Sequence, residues 1–124
     1  MDDPNAISVI LVAHGSRAPI ANESHVSLCA VVSERTGRDV RPAFLELAEP
    51  SIGLAIDTAI ASGYATVLVS PHFLLPGNHT LRDIPALVDD ARHRHPGASI
   101  ELTDHLGADP ALVELVVERI SRLG

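Results

Sequence analysis

Four apolar runs alternate with four helix-spaced stretches along this chain, and that alternation narrows the possible folds more than any other feature. Strands are predicted over residues 7–13, 40–46, 65–71 and 99–103, the first and third dominated by Val, Ile and Leu. Strands of this character, each followed by a helix, lie parallel and bury both faces under helices joined by right-handed crossovers. The expected fold class is therefore α/β: a single three-layer α/β/α domain spanning residues 1–124, with a four-stranded, mainly parallel sheet. A chain of 124 residues has room for one compact domain with a modest core.

The first helix is predicted from about Ile20 to Arg35, stopping at Thr36-Gly37, with Val26, Leu28, Cys29 and Val32 on or near its inner face. Pro50-Ser51 opens the second, which carries Ile52, Ala55, Ile56, Ala59 and Ile60 at intervals of three and four and stops at Ser62-Gly63. A third contains Leu81, Ile84, Leu87, Val88 and Ala91; it tolerates Pro85 only near its first turn and closes at Pro96-Gly97. The last opens near Asp109-Pro110 and carries Leu112, Leu115, Val116, Val117 and Ile120.

Composition removes several function classes. Hydrophobic residues make up 46% of the chain but aromatics only 2%, so the core is aliphatic and no ring platform for stacking bases exists. A formal charge of -7 with no Lys/Arg run opposes nucleic-acid binding, and an anionic ligand must meet locally placed arginines. Cys29 is the only cysteine, which excludes an intrachain disulfide and CxxC chemistry and suits a reducing compartment. The start, Met1-Asp2-Asp3-Pro4-Asn5, is acidic, and the apolar run behind it is too short for a signal peptide or a membrane span; a cytoplasmic, membrane-free protein is expected.

Ligands of open parallel sheets bind beyond the carboxyl ends of the strands. There, His14-Gly15-Ser16-Arg17 follows the first strand directly. Gly15 lets the backbone turn, Ser16 and Arg17 add donors, and His14 offers a nitrogen that can bind metal or take a proton. After the third strand, Pro76 and Gly77 shape a loop able to hold a flat ligand, and His79, Arg82 and Asp83 gather at the start of a helix. Glu46 and Glu49 end the second strand, where either can serve as acid, base or metal-side acceptor; Glu49 can equally compensate a helix dipole, and Glu46 can simply be solvated. His72, His93 and His95 are further imidazoles, more readily packing or surface residues than ligands.

Three ordered blocks carry a resemblance: Val12-Ala13-His14-Gly15-Ser16-Arg17; Phe44-Leu45-Glu46 through Glu49-Pro50-Ser51-Ile52; and Pro71 through Pro85, with Gly77-Asn78-His79 and Asp83-Ile84-Pro85. In this order they resemble the small sirohydrochlorin chelatases of the CbiX and SirB type, within the class II tetrapyrrole chelatases. The resemblance implies a chelatase-like, flavodoxin-like half-domain that inserts a divalent metal into sirohydrochlorin in cobalamin- or siroheme-type tetrapyrrole biosynthesis. It casts His14 as proton acceptor and metal ligand, His79 as the other ligand, and Glu46 or Glu49 as the acidic substrate contact. Leu74, Leu75, Pro76, Gly77 and Asn78 map to the loop that meets the macrocycle, beside Ser16. Because that substrate is a polycarboxylate and the chain is acidic, Arg17 and Arg82 are the candidates for local charge compensation.

The implied metal substrate is Co2+ by family frequency, with Fe2+ and Ni2+ as alternatives, and no organic cofactor is expected. Larger family members hold the tetrapyrrole between two such domains, which implies a homodimer here. This sequence departs from the family pattern at Ala18, where an acidic residue is frequent, and at His72, where an apolar or aromatic residue is usual. Two other readings compete. Histidine-phosphatase chemistry also places His-Gly after a first strand, but Ala13 occupies the position of its phosphate-holding arginine. A non-catalytic metal or tetrapyrrole carrier would use the same histidines.

Overall fold

A computed structural model describes residues 6–78 and 82–123. The elements are β1 (Ile7–Ala13), α1 (Pro19–Thr36), β2 (Asp39–Phe44), α2 (Ile52–Ala61), β3 (Thr66–Pro71), α3 (Ile84–Arg94), β4 (Ser99–Leu102) and α4 (Pro110–Ser121), with a 3-10 turn over Leu106–Ala108. All strand pairs are parallel, in the order β2-β1-β3-β4. The α/β expectation holds, and β1 has the expected bounds. β2 starts one residue earlier than expected and ends two sooner, ahead of the turn at Leu47, a leucine held at φ 65, while β3 starts one residue later and β4 ends one residue sooner than expected.

Alternation along the strands sorts the two faces. Ile10 and Val12 of β1, Val67 and Val69 of β3 and Ile100 of β4 join Ile52, Ala55, Ile56 and Ala59 of α2 and Ile84, Val88 and Ala91 of α3 in one aliphatic core. Each large aliphatic side chain fully buried there contributes roughly 1.5–3 kcal/mol. Local signals start and stop these helices. Ser51 Oγ accepts from the Leu54 amide at 3.2 Å to cap α2, and Asp109 accepts from Ala111 at 2.8 Å to cap α4. Gly37, in the left-handed region at φ 69, ends α1. Asp57 of α2 ties to α3 through Arg94 and, at 2.6 Å, His95; partial burial pushes its carboxyl up, but these hydrogen bonds outweigh that and hold it below the usual range.

The opposite face departs from expectation. α1 covers β1 and β2, but its buried residues are His25 and Cys29, whereas Val26 is 46% exposed. α4 has no buried residue at all, and its main contacts are with the 3-10 turn rather than with the sheet. Val9, Leu11 and Leu68 on that side of the sheet are consequently only half-buried. The expected covering of both faces is complete on the α2/α3 side alone.

Candidate functional site

The chain leaves β1 toward β2 on one side and enters β3 on the other, so a crevice forms at the carboxyl ends of β1 and β3. Residues from three strand ends meet there. Backbone pairing continues past the sheet: Leu45 donates to the Ala13 carbonyl at 2.9 Å and Glu46 to the His14 carbonyl at 3.0 Å. The chains approach so closely at this point that a Cβ on Gly15, which sits at φ +98, would lie 1.7 Å from the Glu46 carbonyl oxygen. Glycine is therefore required on both steric and conformational grounds.

That approach brings His14 and Glu46 together, with Nε2 and Oε1 3.2 Å apart and the side chains 45% and 51% exposed, open to a ligand. Nδ1 of His14 lies 3.1 Å from the Gly15 carbonyl, which can only accept, so this nitrogen carries the hydrogen. Nε2 then faces a carboxylate oxygen, and a cation reconciles the two: a proton, or a metal ion. Imidazole nitrogen and carboxylate oxygen each sit about 2.1 Å from a bound transition metal, so their spacing fits two adjacent positions of one coordination shell.

The two glutamates are separated by the fold. Glu46 reaches His14, whereas Glu49 is exposed in the turn before α2, preceding Pro50 through a cis peptide bond. Ser16 is occupied in shaping the entry to α1: its amide donates to Asn22 Oδ1 at 3.0 Å, its carbonyl accepts from Asn22 Nδ2 at 2.7 Å, and its hydroxyl accepts from the Ala18 amide at 3.0 Å. Arg17 is exposed nearby. Asn22 carries no signal of this role in the sequence beyond lying in the first turn of a helix.

The segment after β3 starts as expected, with the His72 amide donating to the Val12 carbonyl at 2.7 Å. Leu74 and Leu75 are 59% and 79% exposed, and Pro76, Gly77 and Asn78 follow on the surface. Gly107 braces this loop: its amide donates to the Phe73 carbonyl at 2.9 Å, and a Cβ there would lie 1.5 Å from the Leu74 carbonyl oxygen. The sequence contained no sign of that long-range brace. Arg82 is exposed, with Nε 4.0 Å from Asp83 Oδ1. His79 and Leu81 lie outside the described residues. Among the described residues, no three His, Cys, Asp or Glu side chains are gathered to hold a metal.

An all-parallel sheet that presents an imidazole–carboxylate pair at its switch point defines a small α/β protein of the open parallel-sheet class, with its candidate site at the carboxyl ends of the strands. The sequence model of the CbiX family matches residues 8–123, and the chain belongs to that family. It is 40% identical over 117 residues to the chloroplastic sirohydrochlorin ferrochelatase of Arabidopsis thaliana, covering 94% of this chain and 52% of that protein. It is 31% identical to the sirohydrochlorin cobaltochelatase of Methanothermobacter thermautotrophicus, covering 92% and 90% respectively. Among solved structures, SirB from Bacillus subtilis with Fe3+ superposes with a TM-score of 0.84 at 26% identity, covering 95% of this chain and 47% of that one. The chain thus spans about half the length of the plant and Bacillus proteins and nearly all of the archaeal one.

Proposed function

We propose that this chain is a sirohydrochlorin chelatase, working as one domain over residues 1–124 and inserting a divalent metal into the macrocycle. The observation that carries the reading is the His14–Glu46 pair at the mouth of the sheet. Insertion requires the ion to shed water while two pyrrole N–H protons leave. His14 Nε2 and Glu46 Oε1, side by side, can hold the ion first and accept a proton once it has moved on. His79 is proposed as the second imidazole ligand. The exposed Leu74–Asn78 loop offers an apolar surface to the ring, while Arg17 and Arg82 offer guanidinium groups to its carboxylates. Ser16, already hydrogen-bonded within the loop, and Glu49, away from His14, are assigned to the rim of the site.

Imidazole and carboxylate accept cobalt, iron and nickel alike, so the metal must be measured. Single-turnover absorbance with sirohydrochlorin and Co2+, Fe2+ or Ni2+ under anaerobic conditions, with no organic cofactor added, tests the proposal. Insertion faster than the uncatalysed reaction is expected, and fastest with Co2+. Binding of the macrocycle with no acceleration for any of the three ions would identify a carrier and sink the enzyme reading. No described helix is long and apolar enough to cross a membrane. The lone, buried Cys29 supports a reducing, cytoplasmic setting.

We also propose that the working unit is a homodimer joined through α4. Val113, Val116, Val117 and Ile120 are 62%, 49%, 51% and 63% exposed on a helix that buries nothing against its own sheet. An apolar stripe of this size normally marks an association surface. A second copy is the occupant that fits, because two chains of this length together match the span of the Bacillus protein, of which one covers 47%. Val113→Asp/Ile120→Asp is expected to convert a dimer to a monomer in analytical ultracentrifugation; a wild-type monomer at micromolar concentration would overturn the assignment.

A further inference from the structure

On the α1 side of the sheet, beside the strand end that carries His14, lies a cavity of about 370 Å3 lined by Ala13, Ala21, Ser24, His25, Leu28 and His72. Its polar wall is a pair of imidazoles. The ring centroids of His25 and His72 are 5.8 Å apart, tilted by 43°. His25 Nε2 lies 2.9 Å from the Leu11 carbonyl, an acceptor only, so Nε2–H is the donor and Nδ1 keeps its lone pair. A backbone carbonyl holding one ring nitrogen, and so setting the tautomer and orientation, is how ligand histidines are commonly prepared. The backbone of His72 is fixed by its amide, which donates to the carbonyl of Val12, the last residue but one of β1.

We propose that His25 and His72 form a second site for a divalent transition-metal ion, distinct from the His14–Glu46 pair. With nitrogen–metal distances of about 2.1 Å, two rings sharing an ion have centroids between roughly 5 and 6.5 Å apart, and the observed separation falls inside that range. Cys29 does not complete the set. Its Sγ is 3.9 Å from His25 Nε2, on the nitrogen that already bears hydrogen, and burial pushes the thiol up to about 11. The ion is therefore held by two imidazoles, with water in its remaining positions, in a cavity large enough for that hydration. A site so composed prefers borderline metals over Mg2+ or Ca2+ and exchanges its ion readily.

The site's existence does not rest on the insertion reading, and its test uses no tetrapyrrole. Calorimetric titration with CoCl2 of a His14→Ala/His79→Ala variant, with circular dichroism to verify folding, is expected to show one bound Co2+ per chain. Adding His72→Phe or, separately, His72→Gln should abolish that equivalent; His72 is at the surface, so neither change threatens the core. Absence of Co2+ binding in the doubly substituted protein would overturn the proposal, as would binding that survives both His72 changes.

Discussion

Replacing His14 by Ala is expected to lower the rate of metal insertion at least ~100-fold, the lower end of what a positioned acid–base group contributes, while leaving thermal unfolding nearly unchanged. The side chain is 45% exposed, so its removal opens no buried cavity. What is lost is the nitrogen that faces the carboxylate at 3.2 Å and with it one of the groups proposed, with Glu46 and His79, to hold the ion. Glu46→Gln should give a smaller loss with the same profile, because an amide oxygen still reaches the metal but accepts no proton. Steady-state insertion rates and melting curves for both variants decide the matter. A His14→Ala protein that inserts metal at the wild-type rate would refute the assignment of the site.

Gly15→Ala should be the most destabilising change near the site, and it should abolish insertion without touching either reacting side chain. A non-glycine residue at φ +98 costs about 1–3 kcal/mol in backbone strain alone. The added Cβ would also sit 1.7 Å from the Glu46 carbonyl oxygen, so the two strand ends must part and the Glu46–His14 backbone hydrogen bond is lost, a further ~1 kcal/mol. Gly37 supplies the control. It has a positive φ of +69 but nothing within 4 Å of its Cβ position, so Gly37→Ala should cost only about 1 kcal/mol and keep full activity. Urea unfolding of the two variants separates conformational strain from collision. Equal stabilities and equal activities would show that the close approach is not needed to assemble the site.

Much of this arrangement was legible from the residues. The bounds of β1 are clear because seven apolar or small residues end at a His-Gly turn, and α2 is clear because its buried positions repeat at three and four. What could not be read depends on long-range geometry. Glu46 and Glu49 are equivalent in the sequence; they part only because Gly15 draws the backbone of residue 46 against the end of β1. The sequence does not mark His25, because the apolar pattern of α1 is weak and the residue's partners, Leu11 and Phe44, come from different strands. The pattern of α4 reveals an apolar stripe but not what lies against it, so the expectation that it covers the sheet did not survive.

The two outer strands limit how this protein can assemble. β2 carries Pro42, which lacks an amide hydrogen to offer a neighbour, together with the charged pair Asp39 and Arg41 at 2.6 Å. β4 is four residues long and exposes Ser99 and Glu101. Neither rim is a template for an added strand, so the sheet is protected against extension into fibrils and against edge-to-edge pairing. Copies of this chain that associate would therefore meet side chain to side chain, leaving the four-stranded sheet and the strand ends that carry His14 and Glu46 unextended.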